Sequence, residues 1–211
     1  MGYIGKQMVP LIATPEEEVG MLLYLDTRRA PNPRKMRIYL AEKGLTLPVK
    51  ELDLHAGEQR TPEFLKKNPF AGVPILELDD GTVIAESLAI MEYLEELYPN
   101  PPLLGADPVT RALVRMWERR CEIGAYLTAS RMVLSKGEVS DQARKVLMAR
   151  LALLNDGLQG KDWVAGQFSL ADITLFIALD TAHHGQFVLD PAWGNLSRWY
   201  AAMKTRPSVS V

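Results

Sequence analysis

Asn68-Pro-Phe-Ala-Gly-Val-Pro-Ile-Leu-Glu-Leu-Asp-Asp-Gly-Thr-Val-Ile-Ala-Glu-Ser-Leu-Ala-Ile90 is the stretch whose reading decides the fold. Ile75 to Leu78 is a short apolar run, Asp80-Gly81 is a strong two-residue hairpin signal, and Thr82 to Ala85 is a β-rich return strand. Glu86-Ser87 then opens a helix, with Leu88, Met91, Leu94 and Leu97 at close to helical spacing. Pro74 stands directly before a strand, where a missing N–H is tolerated only at a start, an edge or a bulge. Glu86-Ser87 places a carboxylate, a hydroxyl and free backbone N–H groups together at a helix start, an arrangement suited to an anion beside an amine. Each feature also has a plain structural reading, a strand-edge proline and a helix cap.

Upstream, Met21 to Asp26 has the pattern of a buried strand. Asn32-Pro33 predicts a helix start, with Asn at the N-cap and Pro at the first helical position, and Gly44 is its expected stop. A second strand is expected within Leu47 to Leu54, and Thr61-Pro62 caps a short helix. The order is βαβα followed by ββα, which implies a parallel pair with a right-handed crossover and an antiparallel hairpin. Residues 1–20 have no clear period and are read as an N-terminal extension. Downstream, the prolines of Tyr98 to Gly105 form a stiff linker, placed at 99–106. From Asp107 to residue 211 strand signals nearly vanish. Asp107-Pro108 caps a long helix running past Cys121 to Met132, Ser140 begins another, and the last helix spans roughly Pro191 to Thr205. Ser169-Leu-Ala-Asp172 resembles a capping box before an apolar helix, so Asp172 is read as structural.

The chain has 211 residues with 47% hydrophobic and 24% charged, enough for one large or two small packed domains. A net charge of -2 gives no bias toward nucleic acid or anionic membrane, and no apolar run is long enough for a bilayer. The single cysteine, Cys121, excludes an internal disulfide, fits a reducing compartment and reads as a buried apolar residue. A cytoplasmic location is expected, since the first twenty residues lack a secretory signal. No Cys or His spacing suggests a metal, and the adjacent His183-His184 cannot chelate from one helix face.

Nearly the whole chain resembles the glutathione S-transferase family, most specifically over the Gly72-Val73-Pro74 and Glu86-Ser87 elements. The resemblance implies an α+β protein with a thioredoxin-like glutathione-binding domain over 21–98 and an all-helical domain over 107–211. It also implies a cis Val73-Pro74 bond, with the Val73 backbone on the cysteinyl part of glutathione and Glu86 and Ser87 on the γ-glutamyl group. Gln59 matches a position that contacts glutathione in zeta-like members; otherwise it is a solvated loop residue.

The implied activity is a glutathione transferase, which holds the glutathione thiol as thiolate for attack on a small hydrophobic electrophile or a peroxide. Ala30 stands where many members have the Ser or Cys that touches the sulfur. The Ala30-Pro31-Asn32 loop is similar to the Thr-Pro-Asn loop of the bacterial nu class, which makes Asn32 the candidate thiol-activating residue, in competition with a role as helix cap. Arg28, Arg29 and Arg34 make the cleft mouth basic, and Arg115, Arg119, Tyr126 and Met132 mark a region for the second substrate. A homodimer is expected, the first domain of one subunit facing the helical domain of the other. The alternatives are a glutathione-dependent disulfide reductase and a non-catalytic binding or regulatory protein with the same fold.

Overall fold

The computed structural model describes residues 20–27 and 30–210. The rest of the expected extension, together with Arg28 and Arg29, lies outside them.

Among the described residues four strands form one sheet in the order β2-β1-β3-β4. β1 (Met21–Asp26) runs parallel to β2 (Val49–Leu52) and antiparallel to β3 (Ile75–Leu78), which pairs antiparallel with β4 (Val83–Ala85). Only four residues of the expected second strand are in the ladder, and three of them are exposed, as suits an edge strand. α1 (Pro31–Lys43) supplies the crossover between β1 and β2, α2 (Pro62–Lys67) precedes β3, and α3 (Ser87–Leu97) follows β4. This is the thioredoxin-like βαβαββα arrangement, and an all-helical half follows it.

α1 starts earlier than Asn32-Pro33 predicts. Ala30 is the N-cap residue, with φ -58 and ψ 145, and Arg34 N–H donates to Ala30 O at 2.9 Å as the first helical bond. Positions 31 to 33 need no N–H partner within the helix, so both Pro31 and Pro33 are accommodated there. Asn32 sits between them inside the first turn and is not the cap.

The helical half comprises α4 (Pro108–Arg119), α5 (Leu127–Leu134), α6 (Glu138–Gly157), α7 (Leu170–His184) and α8 (Gly194–Lys204). α4 and α5 form the single rod expected from the sequence, but a π-helical turn at Arg120–Tyr126 widens it and directs Cys121, Ala125 and Tyr126 inward. α7 is the central element: Leu170 to Leu179 are all buried, which matches a helix apolar nearly all round. The final helix begins at Gly194 rather than near Pro191, because Asp190 Oδ1 and O accept the N–H groups of Ala192 and Trp193 and close a turn there.

Asp172 joins three segments of this half. Its Oδ1 accepts Val164 N–H at 2.9 Å and Trp199 Nε1–H at 2.8 Å, while its Oδ2 accepts Ser169 N–H at 3.0 Å and lies 3.1 Å from Ser169 Oγ. The side chain is fully buried, and burial pushes its carboxyl up to about 6 against the pull of these donors. The role is structural, as the capping pattern implies. Asp172→Ala strands two backbone donors and an indole donor in the core, so an unfolding loss of about 3–5 kcal/mol is expected in urea denaturation. A loss below about 1 kcal/mol would show that the hub is dispensable.

Candidate functional site

The strand registers bring the expected site segments to one end of the sheet. β1 and β2 both finish there, at the Asp26–Leu52 pair. β3 begins beside them, since Ile75 pairs with Tyr24, and β4 ends beside β3, since Ile75 pairs with Ala85. The loops that leave this end carry Asn32 after β1, Gln59 after β2, Val73-Pro74 before β3 and Glu86-Ser87 after β4. The β3-β4 hairpin joins Val73-Pro74 to Glu86-Ser87, and the strand order brings Asn32 and Gln59 to them.

At the start of α1, Asp26 is only 1% exposed, and its two oxygens accept Ala30 N–H at 2.7 Å and Arg37 Nη1–H at 3.0 Å. This carboxylate at the strand end fixes where the helix starts. The first turn contains a single backbone N–H, that of Asn32, because its neighbours on both sides are prolines. Asn32 Oδ1 is buried and has no hydrogen-bond partner among the described residues. The side chain is therefore not spent on capping.

The Val73-Pro74 bond is cis, as the resemblance implies. Val73 is half-buried and Pro74 is buried. Glu86, the N-cap residue of α3, has φ 72 and ψ 122, a left-handed backbone conformation that costs a non-glycine residue of order 1–3 kcal/mol. Its carboxylate makes no cap bond and is exposed, whereas Ser87 beside it is buried. A cleft of about 300 Å³ opens at this helix start, walled by Glu86, Ser87 and Glu92 of the first half and by Glu118, Arg119 and Glu122 of the rod opposite.

Glu118, Glu122 and Lys35, the partner of Glu122, are the residues that sequence reasoning missed. Lys35 is only 1% exposed; its Nζ donates to Glu122 Oε2 at 2.6 Å and lies 5.1 Å from the Tyr126 ring centre. On a sequence carrying Arg119 and Arg120 between Glu118 and Glu122, this stretch reads as solvated, yet Glu118 is buried one turn after Val114 on the same face of α4.

Gln59 lies on a short 3₁₀ turn, half-buried rather than solvated. Its Nε2 donates to Leu54 O at 3.3 Å while its buried Oε1 has no partner among the described residues. Arg34 does not stand free at a cleft mouth, for it is paired with Asp180, donates to Val209 O at 3.2 Å and stacks on Phe176. Arg115 is held bidentate by Glu92 at 2.8 and 3.1 Å, and Tyr126 and Met132 are buried in the core, leaving Arg119 as the exposed member of the region expected for the second substrate. Cys121 is fully buried and burial pushes its thiol well up, which makes it inert. Among the described residues no group of His, Cys, Asp or Glu could hold a metal, and no helix is long and apolar enough to cross a membrane.

The left-handed backbone at Glu86 is measurable as strain. Glu86→Gly is expected to exceed Glu86→Ala in stability by about 1–2 kcal/mol, because glycine adopts this conformation without a Cβ clash. Equal denaturation midpoints for the two variants would show that position 86 stores no strain.

Comparison with known proteins gives a consistent result. The model of the glutathione S-transferase N-terminal domain matches residues 30–97, and that of the C-terminal domain matches residues 117–207. The chain is 34% identical over 205 residues to glutathione S-transferase 2 of Saccharomyces cerevisiae, covering 90% of this chain and 88% of that one. It is 36% identical over 182 residues to maleylacetoacetate isomerase of Pseudomonas aeruginosa, covering 81% and 85%. A glutathione S-transferase from Methylobacillus flagellatus, solved with glutathione bound, superposes with a TM-score of 0.78 at 27% identity over 90% of this chain and 97% of its own. With two domain models matched in order and a relative of this similarity along nearly its whole length, the chain belongs to the glutathione S-transferase family.

Proposed function

We propose that this protein is a glutathione transferase, with glutathione bound at the sheet end and its thiol held as thiolate for attack on a small hydrophobic electrophile or a peroxide. The observation that carries this reading is the meeting of four segments at that end, with Asn32 Oδ1 and Gln59 Oε1 left buried and without a partner among the described residues. Buried polar atoms without partners are rare, and a polar peptide supplies the missing donors. Val73 offers its backbone where β3 begins, and Glu86 and Ser87 offer a carboxylate, a hydroxyl and the N-terminus of α3 to a charged end group. The relative from Methylobacillus flagellatus, which holds glutathione, supports the same ligand here.

Thiol activation cannot use a hydroxyl or thiol at position 30, which is Ala. The donors within α1's first turn are the Asn32 amide and the Asn32 backbone N–H. Since Asn32 is not the cap, its removal carries no capping cost. Asn32→Ala is expected to keep glutathione affinity in calorimetry and wild-type thermal stability, and to lower turnover of an aryl halide on the order of 10- to 100-fold. Asn32→Asp, which replaces the donor with a repelling charge, should do at least as much and raise the bound thiol pKa. Wild-type turnover in both variants would remove Asn32 from the chemistry, and absence of glutathione binding by the wild type would overturn the functional reading itself. The nu-like Ala30-Pro31-Asn32 loop favours a second reading, glutathione-dependent disulfide reduction, which comparison of a disulfide with an aryl halide as substrate separates.

The active form in this reading is a homodimer. Asn68 donates from Nδ2 to Gly72 O at 2.9 Å and accepts Phe70 N–H at 3.2 Å, which ties the loop back and leaves Phe70 92% exposed. The rod and α6 enclose an apolar groove of about 780 Å³ lined by Trp117, Ile123, Val146 and Leu153, and exposed Val109, Leu113 and Met116 continue it along α4. Phe70 of one subunit inserted into the groove of its partner satisfies both surfaces twice under two-fold symmetry. Phe70→Ser should shift sedimentation toward monomer, with dimer affinity weakened on the order of 10- to 1000-fold. An unchanged dimer places the interface elsewhere, and a wild-type monomer at micromolar concentration removes it.

A further inference from the structure

The segment that follows α8 packs on α1 and holds it near both ends. Residues Pro207–Ser210 form a 3₁₀ turn in which Ser208 and Val209 are buried. In the last turn of α1, Glu42 accepts Arg206 Nε–H at 2.7 Å, a second bond from Arg206 Nη2 and a third from Ser208 Oγ. Burial pushes the Glu42 carboxyl up, and these donors outweigh it and hold the group below its ordinary value. Arg206 is itself fixed, with its guanidinium 3.7 Å from the Phe168 ring centre and 5.3 Å from that of Trp163. About two turns, or roughly 12 Å, earlier along the helix, Arg34 donates from Nη2 to Val209 O at 3.2 Å.

The same guanidinium reaches a second element. Arg34 Nη1 pairs with Asp180 of α7, and the head lies 5.4 Å from the ring centre of Phe176 on that helix. Arg34 Nε is buried without a partner among the described residues, so Asp180 and Val209 O are the polar contacts that aim the head. Arg34 belongs to the first turn of α1, directly after Pro33 and close behind Asn32. A helix end is the part that frays, because its first N–H groups have no internal partners. Asp26 ties this end from the sheet through Ala30 N–H at 2.7 Å. Arg34 ties it from the helical half, and Asn32 lies between the two anchors in the chain. Neither anchor supplies a partner to Asn32 Oδ1.

We propose that Arg34, braced by Asp180 and by the Pro207–Ser210 turn, is a positioning residue that sets the first turn of α1 so that Asn32 stands at the bound sulfur. The inference rests on the glutathione reading and on Asn32 as the thiol-activating group, and it gives a segment remote from the sheet end a part in turnover. Arg34 acts through Asn32 and not through its own charge, since Asp180 neutralises the guanidinium. In this reading Val73, Glu86 and Ser87 anchor glutathione from other elements, so its affinity does not depend on the brace. Displacing a reacting group by on the order of 1 Å is enough to cost up to about 100-fold in rate.

The test is a double-mutant cycle in the two-domain protein, with glutathione and an aryl halide as substrates. Arg34→Gln removes both polar contacts. A chain stopped after Arg206 removes Val209 O, leaves Arg34, Asp180 and the Glu42–Arg206 pair in place, and serves if the Gln variant does not fold. Arg34→Gln is expected to lower kcat on the order of 5- to 50-fold and the stopped chain at least about threefold. Both should raise the pKa of the bound thiol and keep glutathione affinity in calorimetry within about twofold of wild type. In the Asn32→Ala background the same changes should cost less than about twofold in kcat, while their effect on melting temperature is the same in both backgrounds. A role in folding alone gives the contrary result, equal losses of kcat with and without Asn32. Such additivity overturns the assignment, as do wild-type kcat in both variants, a loss confined to glutathione affinity, or an Asn32→Ala protein with wild-type turnover. A wild type that binds no glutathione is a distinct outcome, which sinks the glutathione reading along with it.

Discussion

Helix α1 is committed to two domains at once, and the rest of the structure follows from that constraint. It lies between the sheet and α7, with Met36, Ile38, Tyr39 and Leu40 all buried. Its charged residues then reach beyond the sheet one after another. Arg34 meets Asp180 of α7, Lys35 meets Glu122 of the rod, and Glu42 takes Arg206 near the C-terminus. Lys43 pairs with Glu95 at 2.9 Å and donates to Pro101 O at 2.7 Å, while Glu95 Oε2 accepts Leu104 N–H, so this pair fastens the linker. Such pairs are poor sources of net stability once desolvation is counted, but a mispaired arrangement strands a buried charge. They select one docking of the helical half on the sheet, and with it the relation of Glu118 to Glu86.

Much of this was legible because local and global signals agree. The Asp80-Gly81 turn, the two prolines that open α2 and α4, and the Ser169–Asp172 box each act over a few residues, and each stands in the structure where the sequence puts it. The start of α1 was misread for a definite reason. Asn before Pro is a good N-cap pattern, but a buried carboxylate one element earlier, Asp26, holds Ala30 N–H and begins the helix sooner. That contact joins a strand end to a loop, and no window of sequence contains the burial that makes it strong. The same holds for Arg34 and Arg115. As arginines near a predicted cleft they suggest ligand binding, and only tertiary structure reveals that Asp180 and Glu92 already hold them.

The site itself was legible as residue types and not as a place. Val73-Pro74 and Glu86-Ser87 lie in one stretch, so their proximity could be anticipated from the hairpin between them. Gln59 and Asn32 join them only through the β2-β1-β3-β4 order, which periodicity does not specify. The acidic wall of the cleft was invisible for a further reason. A charged residue on a long helix is ordinarily solvated, and Glu118 is buried beside Val114 on the inward face of α4 although its type predicts exposure.

The distribution of charge also bears on how a thiolate could be stabilised in the proposed reading. The described cations near α1's start are spent: Arg34 on Asp180, Lys35 on Glu122 and Arg37 on Asp26. A neutralised guanidinium or ammonium exerts little net field on a neighbouring anion. The helix terminus is itself thinned, because Pro31 and Pro33 remove two of the three backbone donors its first turn would otherwise present. What remains is one backbone N–H, the macrodipole, and a side-chain amide that the fold leaves unused for capping. Within this turn, then, a sulfur anion would be favoured by fixed dipoles more than by opposite charge. Dipoles held by a half-buried first turn need little reorganisation when charge develops, and that is the condition under which a neutral amide can act where related proteins are expected to use a hydroxyl.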